Sequence, residues 1–254
     1  KNSIHNNNNN NNNDVNMDDV SHGYKNKSLR LKCECEMCRL GIATTHNDSS
    51  HDQSLYSTFI LDCDKNFQIN LVGGSTKCGR IMSNYFGYLQ LNKKLNIFSD
   101  SIILEVGSGT GIVGFTISYL KAKTVYMTDQ SYVLDVLKEN QSQLFYNTDN
   151  IIVSELVWSR ENAAKYLDKN IEIIIGSDLI YAKEGIKPLV NTFDVLSQNI
   201  IKDKNSKYYG KYPIIYMAII RRFKWEEMFF KLMRDIYHET CELTVGDISI
   251  YKYQ

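Results

Sequence analysis

The run Ile102-Ile103-Leu104-Glu105-Val106-Gly107-Ser108-Gly109-Thr110-Gly111 constrains the fold more than any other part of the chain. Its aliphatic half reads as a strand buried on both faces, with one carboxylate near its end. The glycines at Gly107, Gly109 and Gly111 let the backbone turn sharply and leave no side chains between it and a ligand. Ile112-Val113-Gly114-Phe115-Thr116-Ile117 continues at once as a helix. Strand, glycine turn and helix in that order are how an α/β fold builds a cofactor site.

From Ile102 onward the chain alternates. Strand-like runs fall at Ile102–Val106, Thr124–Thr128, Ile151–Leu156, Ile171–Ile175 and Pro213–Ile220. Helix-like runs lie between them at Ile112–Leu120, Tyr132–Leu144, Glu184–Ile201 and Lys224–His238, with a short further helix at Arg160–Leu167. Ile- and Val-rich strands without clean alternation suit a parallel sheet covered on both faces. The last two strands, Cys241–Val245 and Ile248–Tyr253, are separated only by Gly246-Asp247, which implies an antiparallel hairpin at the sheet's C-terminal edge. Ahead of the alternation, Tyr56–Leu61 and Phe67–Val72 form a further hairpin, and Arg80–Leu91 has helical spacing. The expected fold is therefore α/β and Rossmann-like: a mostly parallel sheet with a C-terminal antiparallel hairpin, preceded by an N-terminal β-hairpin.

Asn6 to Asn13 is an unbroken asparagine run with nothing to bury, and polar sequence continues beyond it. Residues 1–54 are expected to be a disordered leader and residues 55–254 a single domain. Acidic and basic residues balance at 29 each, which gives no global attraction to nucleic acid or anionic lipid. No apolar run is long enough to span a bilayer. No signal-peptide pattern is visible, and six scattered cysteines do not make a disulfide framework. A reducing compartment, the cytoplasm or nucleus, and a monomer are expected. Cys33-x-Cys35-x-x-Cys38, with Cys63 or His51 as a fourth ligand, does not have the spacing of a zinc knuckle; free thiols and no metal are the expectation.

The glycine turn by itself leaves the cofactor open. Gly109-x-Gly111-x-x-Gly114 formally matches the dinucleotide fingerprint. It begins two residues too late, however, because the tight turn starts at Gly107. A pyrophosphate also wants no anion beside it, and Glu105 places one there; a cofactor bearing ammonium and sulfonium groups tolerates that carboxylate. Asp129 follows the next strand, roughly 20 residues past the turn, where a carboxylate can accept both ribose hydroxyls. The alternative for Asp129 is a helix N-cap.

With these residues the region from about Leu55 to Tyr253 resembles the seven-stranded, class I S-adenosylmethionine-dependent methyltransferases. The resemblance implies that Glu105, Gly107, Gly109 and Gly111 hold the methionine end of S-adenosylmethionine and Asp129 its ribose. Two further motifs narrow it. Leu156-Val157-Trp158 follows the third sheet strand and Asp178-Leu179-Ile180-Tyr181 follows the fourth. They are similar to the Leu-x-Trp and acidic-x-x-Tyr motifs of the methyltransferase-like protein-lysine methyltransferases of non-histone substrates. That resemblance implies a protein substrate with a lysine acceptor, Trp158 against the adenine, Asp178 orienting the amine and Tyr181 lining its channel. Where that family often has tryptophan in the helix-opening segment, this chain has Met82. Each residue also has a plainer reading: a core tryptophan, a turn aspartate, a packed tyrosine. Arg221-Arg222 reads as a solvated pair of charges. The rival functions are methyl transfer to arginine, a small molecule or RNA, and an inactive methyltransferase fold serving as a binding module. The prolines of the adenine-RNA signature are absent after Ser177-Asp178.

Overall fold

The computed structural model describes residues 56–254. The leader 1–54, with the asparagine run and Cys33, Cys35 and Cys38, lies outside the described residues. Nine strands occur among them: β1 (Tyr56–Leu61), β2 (Asp64–Val72), β3 (Ile102–Val106), β4 (Thr124–Asp129), β5 (Ile151–Glu155), β6 (Ile173–Ser177), β7 (Ile214–Ile220), β8 (Glu239–Val245) and β9 (Ile248–Tyr253). The helices are α1 (Lys77–Gly87), α2 (Ile112–Tyr119), α3 (Leu134–Ser142), α4 (Arg160–Ala164), α5 (Ile186–Ser197) and α6 (Glu227–Arg234).

β1 and β2 pair as a separate antiparallel hairpin, and the other seven strands form one sheet in the order β5-β4-β3-β6-β7-β9-β8. β3 to β7 run parallel; β9 is antiparallel to β7 and to β8. The expected architecture is the one observed. From β3 the chain goes first to β4 on one side and later to β6 on the other. That reversal opens a crevice at the carboxyl ends of the strands, and in such sheets it is where ligands bind.

Strand residues alternate between two cores, which is why the strands read as continuous apolar runs. Ile103, Ile173, Ile175 and Tyr216 face a core shared with the hairpin, α1 and α2. Leu104, Ile174, Ile215 and Met217 face the other, built with α5 and α6. In the first core Phe86 is fully buried, its ring centroid 4.7 Å from Phe98 and 5.5 Å from Tyr216. Met82 is fully buried there as well.

The elements differ from expectation mainly at their ends. α1 starts at Lys77 rather than Arg80, because Thr76 caps it by accepting the Gly79 N–H at 3.0 Å. It gives way at Tyr88–Asn92 to a π-helical turn. β2 begins three residues earlier than the apolar pattern, at Asp64, because backbone pairing with Leu61 does not need an apolar side chain. β6 is shifted to Ile173–Ser177, so the strand ends at the residue before Asp178.

Candidate functional site

The site is built from the glycine turn outward. Gly107 has φ +64°, a left-handed conformation, and a Cβ there would stand 2.6 Å from Cδ2 of Leu179. Only glycine fits such a position. Gly111, at φ +94°, opens α2, and a Cβ on it would stand 2.4 Å from the Phe115 ring. Gly109, between them, has open space on the side where a side chain would stand. The turn thus packs tightly at both ends and leaves its middle clear.

Asp129, at the end of β4, holds that middle. Its Oδ2 accepts the Gly109 N–H at 2.8 Å, and its Oδ1 accepts the Gln130 N–H at 2.7 Å. The helical turn at Ser131–Val133 has no side-chain cap, so Asp129 is not an N-cap. Each of its oxygens keeps a further lone pair for a hydroxyl.

Glu105 lies beneath the turn. It is 1% exposed, and its Oε2 accepts the Gly114 N–H at 3.1 Å. Burial pushes its carboxyl up to about 8; the Gly114 N–H works against that rise and Asp129 adds to it. Gly114 is needed for this contact, since a Cβ there would stand 2.6 Å from Oε2. The third glycine of the apparent dinucleotide fingerprint therefore serves Glu105. Glu105 itself faces inward and braces the turn.

Trp158 and Tyr181 form one wall. Trp158 Cζ2 lies 3.6 Å from where a Cβ on Gly107 would stand, and Cζ3 lies 3.4 Å from the same point on Gly185. The rings of Trp158 and Tyr181 are 6.3 Å apart between centroids. Tyr181 is 61% exposed. Its hydroxyl is shifted upward, first by burial and then by Tyr132 and Asp129.

Asp178 has φ +58°, a left-handed conformation that aspartate tolerates better than most residues. Its N–H donates to Ala218 O at 2.9 Å, pinning it to the end of β7. Its Oδ1 accepts from Nη2 of Arg222 at 2.6 Å. Arg222 is thus partnered, not the solvated charge that the sequence suggested. Of the eight expected site residues, Glu105, Gly107, Gly109, Gly111 and Asp129 are joined through the turn and its hydrogen bonds. Trp158 reaches Gly107 and carries Tyr181; Asp178 is linked to the turn through its neighbour Leu179.

Two contributors escaped the sequence reading. Asn140 of α3 is fully buried, bonds both the N–H and the C=O of Val72, and donates to Thr110 O at 2.9 Å. Thr110 Oγ1 donates to Gly74 O at 2.6 Å. Together they tie the glycine turn to the hairpin. The one available signal was a polar residue on the apolar stripe of α3, three positions after Leu137.

Elsewhere, a cavity of about 220 Å³ lined by Tyr166, Ile171, Leu196, Ile201 and Pro213 lies at the opposite edge of the sheet, by the starts of β6 and β7, and contains none of these groups. No cluster of three or more His, Cys, Asp or Glu suited to a metal occurs among the described residues, and no helix there is long and apolar enough to cross a membrane.

A family model described as lysine methyltransferase matches residues 76–236. Protein N-lysine methyltransferase METTL21A of Danio rerio is 28% identical over 139 residues, covering 53% of this chain and 63% of that protein. Protein-lysine N-methyltransferase EFM6 of Saccharomyces cerevisiae is 26% identical over 197 residues, covering 72% of this chain and 74% of that protein. The matched region is thus a little under two thirds of the first relative's length and about three quarters of the second's. Among solved structures, a protein assigned as a methyltransferase and crystallised in complex with SAH aligns with a TM-score of 0.55 at 11% identity, over 80% of this chain and 57% of that one. That likeness shows the shared fold.

Proposed function

Because the chain belongs to the lysine methyltransferase family, we propose that it is a protein-lysine N-methyltransferase that takes a methyl group from S-adenosylmethionine and places it on a lysine of a non-histone protein. One observation carries the reading beyond the fold. Leu179 packs against Gly107, so the Asp178–Tyr181 segment and the glycine turn form adjoining walls of one crevice. A cofactor turn and an acceptor motif are useful to each other only in that arrangement.

The residues suit S-adenosylmethionine. The clear middle of the turn at Gly109 admits a ligand against the backbone, Asp129 has lone pairs left for ribose hydroxyls, and Trp158 offers a ring beside Gly107. When bound, the cofactor supplies an electrophilic methyl group on a sulfonium. Buried Glu105 then answers the added positive charge by giving up its proton, since a nearby cation favours the ionised carboxyl.

On the acceptor side the difficulty is the proton of lysine. Its amine has a pKa of about 10.4, so deprotonation at pH 7 costs about 3.4 units, or about 4.6 kcal/mol. Asp178 receives an amine N–H through a charge-assisted bond and fixes the nitrogen's direction. Tyr181, with Trp158 behind it, forms an aromatic wall that accommodates a cationic or methylated nitrogen. Alignment of this kind can supply about 7–11 kcal/mol toward an in-line displacement. The displaced proton leaves to water. The reading also takes the enzyme to be a monomer of the cytoplasm or nucleus, where the free thiols Cys63, Cys78 and Cys241 stay reduced.

The test is transfer of label from methyl-labelled cofactor into a cell lysate, with the labelled amino acid identified after acid hydrolysis. Methyl-lysine in protein is expected. Asp178→Ala should abolish it while cofactor binding, read by calorimetry, survives. Label in small molecules, RNA or methyl-arginine would overturn the acceptor. Parallel loss of binding and transfer in the variant would overturn the role of Asp178.

A further inference from the structure

Arg222 pairs with the carboxylate that the reading above assigns to the acceptor lysine. It is held there by more than its partner. The Arg222 N–H donates at 2.8 Å to Oε2 of Glu226, a carboxylate 1% exposed whose other oxygen has no partner. Asp178 is fixed on its side by the Ala218 bond and its left-handed backbone. The Asp178 side chain is 17% exposed and that of Arg222 35%, so the carboxylate is mostly shielded while the guanidinium is partly open to solvent. Among the described residues nothing bonds Oδ2 of Asp178.

Other charged or titratable groups come close from several elements. Cys78 of α1 is a buried thiol pushed up to about 12, first by burial and then by Asp178, with Arg222 opposing and Asp247 of the β8–β9 turn adding. Glu226 precedes α6, and Tyr181 lies three residues along from Asp178. Arg222 is the cation paired with Asp178.

A lone carboxylate is a poor partner for a nucleophilic amine. It favours the ammonium form, raises the amine's pKa and makes the neutral nucleophile rarer. A guanidinium on the same carboxylate acts in the opposite sense, as a like charge toward the ammonium. Arginine keeps its proton at every pH at which lysine titrates, so the effect persists through that range.

We infer that Arg222 is a positioning residue for methyl transfer, engaging Oδ1 of Asp178 so that Oδ2 orients the acceptor nitrogen without trapping it as an ammonium. The inference rests on the lysine reading above. The Arg222 guanidinium neither donates nor accepts a proton in the reaction; it sets the charge of the group that binds the amine.

The experiment is the rate of methyl-lysine formation in lysate protein from pH 6.5 to 10 for the wild type, Arg222→Gln and Arg222→Lys, with cofactor affinity measured in parallel. Arg222→Gln should bind cofactor as the wild type does and be about tenfold slower below pH 8. Its rising limb should lie about one pH unit higher, so that the deficit narrows as the pH approaches 10. Arg222→Lys keeps the charge and should keep the wild-type midpoint. If Arg222→Gln does not bind cofactor, Arg222→Met takes its place with the same expectation. A loss of equal size at every pH, an unchanged rate, or Arg222→Lys behaving like Arg222→Gln would overturn the inference. If the wild type makes no methyl-lysine, the lysine reading falls and takes Arg222 with it; methyl-lysine with an unmoved profile removes Arg222 alone.

Discussion

Replacing Glu105 by glutamine should stabilise the protein, and by more at pH 8 than at pH 6. Glu105 is buried under the glycine turn, and burial lifts its carboxyl from 4.5 to about 8. In the unfolded chain the same group titrates near its ordinary value. Between the two values the folded protein keeps a proton that the unfolded chain has lost. Wild-type stability on this account is fully present below about 4.5 and is lost as the pH rises through about 8. The slope is up to about 1.4 kcal/mol per pH unit. From pH 6 to 8, with the folded group half ionised at the upper end, the loss is about 2 kcal/mol. Glutamine keeps a carbonyl oxygen for the Gly114 N–H and cannot ionise, so the variant escapes that loss. Urea unfolding at pH 6, 7, 8 and 9 reads it directly. With a slope of about 2 kcal/mol/M, the gap in midpoint between variant and wild type should widen by about 1 M from pH 6 to pH 8. A gap that stays constant would refute the reasoning, because it would mean that Glu105 is already ionised in the folded protein at pH 6. A companion measurement ties the group to function. At pH 7, calorimetry of S-adenosylmethionine binding in buffers of different ionisation enthalpy should register proton release for the wild type and less for Glu105→Gln.

Asp129→Ala should lower cofactor affinity about ten- to hundredfold, the value of one charge-assisted hydrogen bond, measured by calorimetry; unchanged affinity would remove Asp129 from the site. Gly107→Ala and Gly109→Ala should each cost about 1–2 kcal/mol for the left-handed backbone, but only Gly107→Ala must also displace Leu179, so it should have the lower unfolding midpoint; equal unfolding midpoints would contradict the packing at Gly107. Phe86→Ala should cost about 3–5 kcal/mol and lower the thermal midpoint by about 10 °C, because its ring bridges Phe98 and Tyr216 in the core beneath the sheet.

Much of this molecule was legible along the chain because its signals are local. Consecutive aliphatics write β3, three glycines and an immediate apolar helix write the turn, and Gly246-Asp247 writes the last hairpin. Element ends were less legible, since they are set by single contacts such as the Thr76 cap, or by backbone pairing that ignores side-chain polarity, as at Asp64. The state of Glu105 was not legible at all. A carboxylate at a strand end looks open in sequence; only the packing of α2 over it, through Gly114, shuts it from water and raises its pKa.

By itself, then, the sequence determined the element order, the α/β class and the residue types at the turn, because those depend on spacing within a few residues. Tertiary structure decided which distant groups meet. Asp178 and Arg222 lie 44 positions apart, and they become an ion pair because β6 and β7 are adjacent and in a register that pairs Ser177 with Ala218. Asn140 reaches Val72 across 68 positions only once α3 lies on the hairpin. Such contacts depend on strand order and register, which are properties of the folded sheet and leave no periodic trace in the chain.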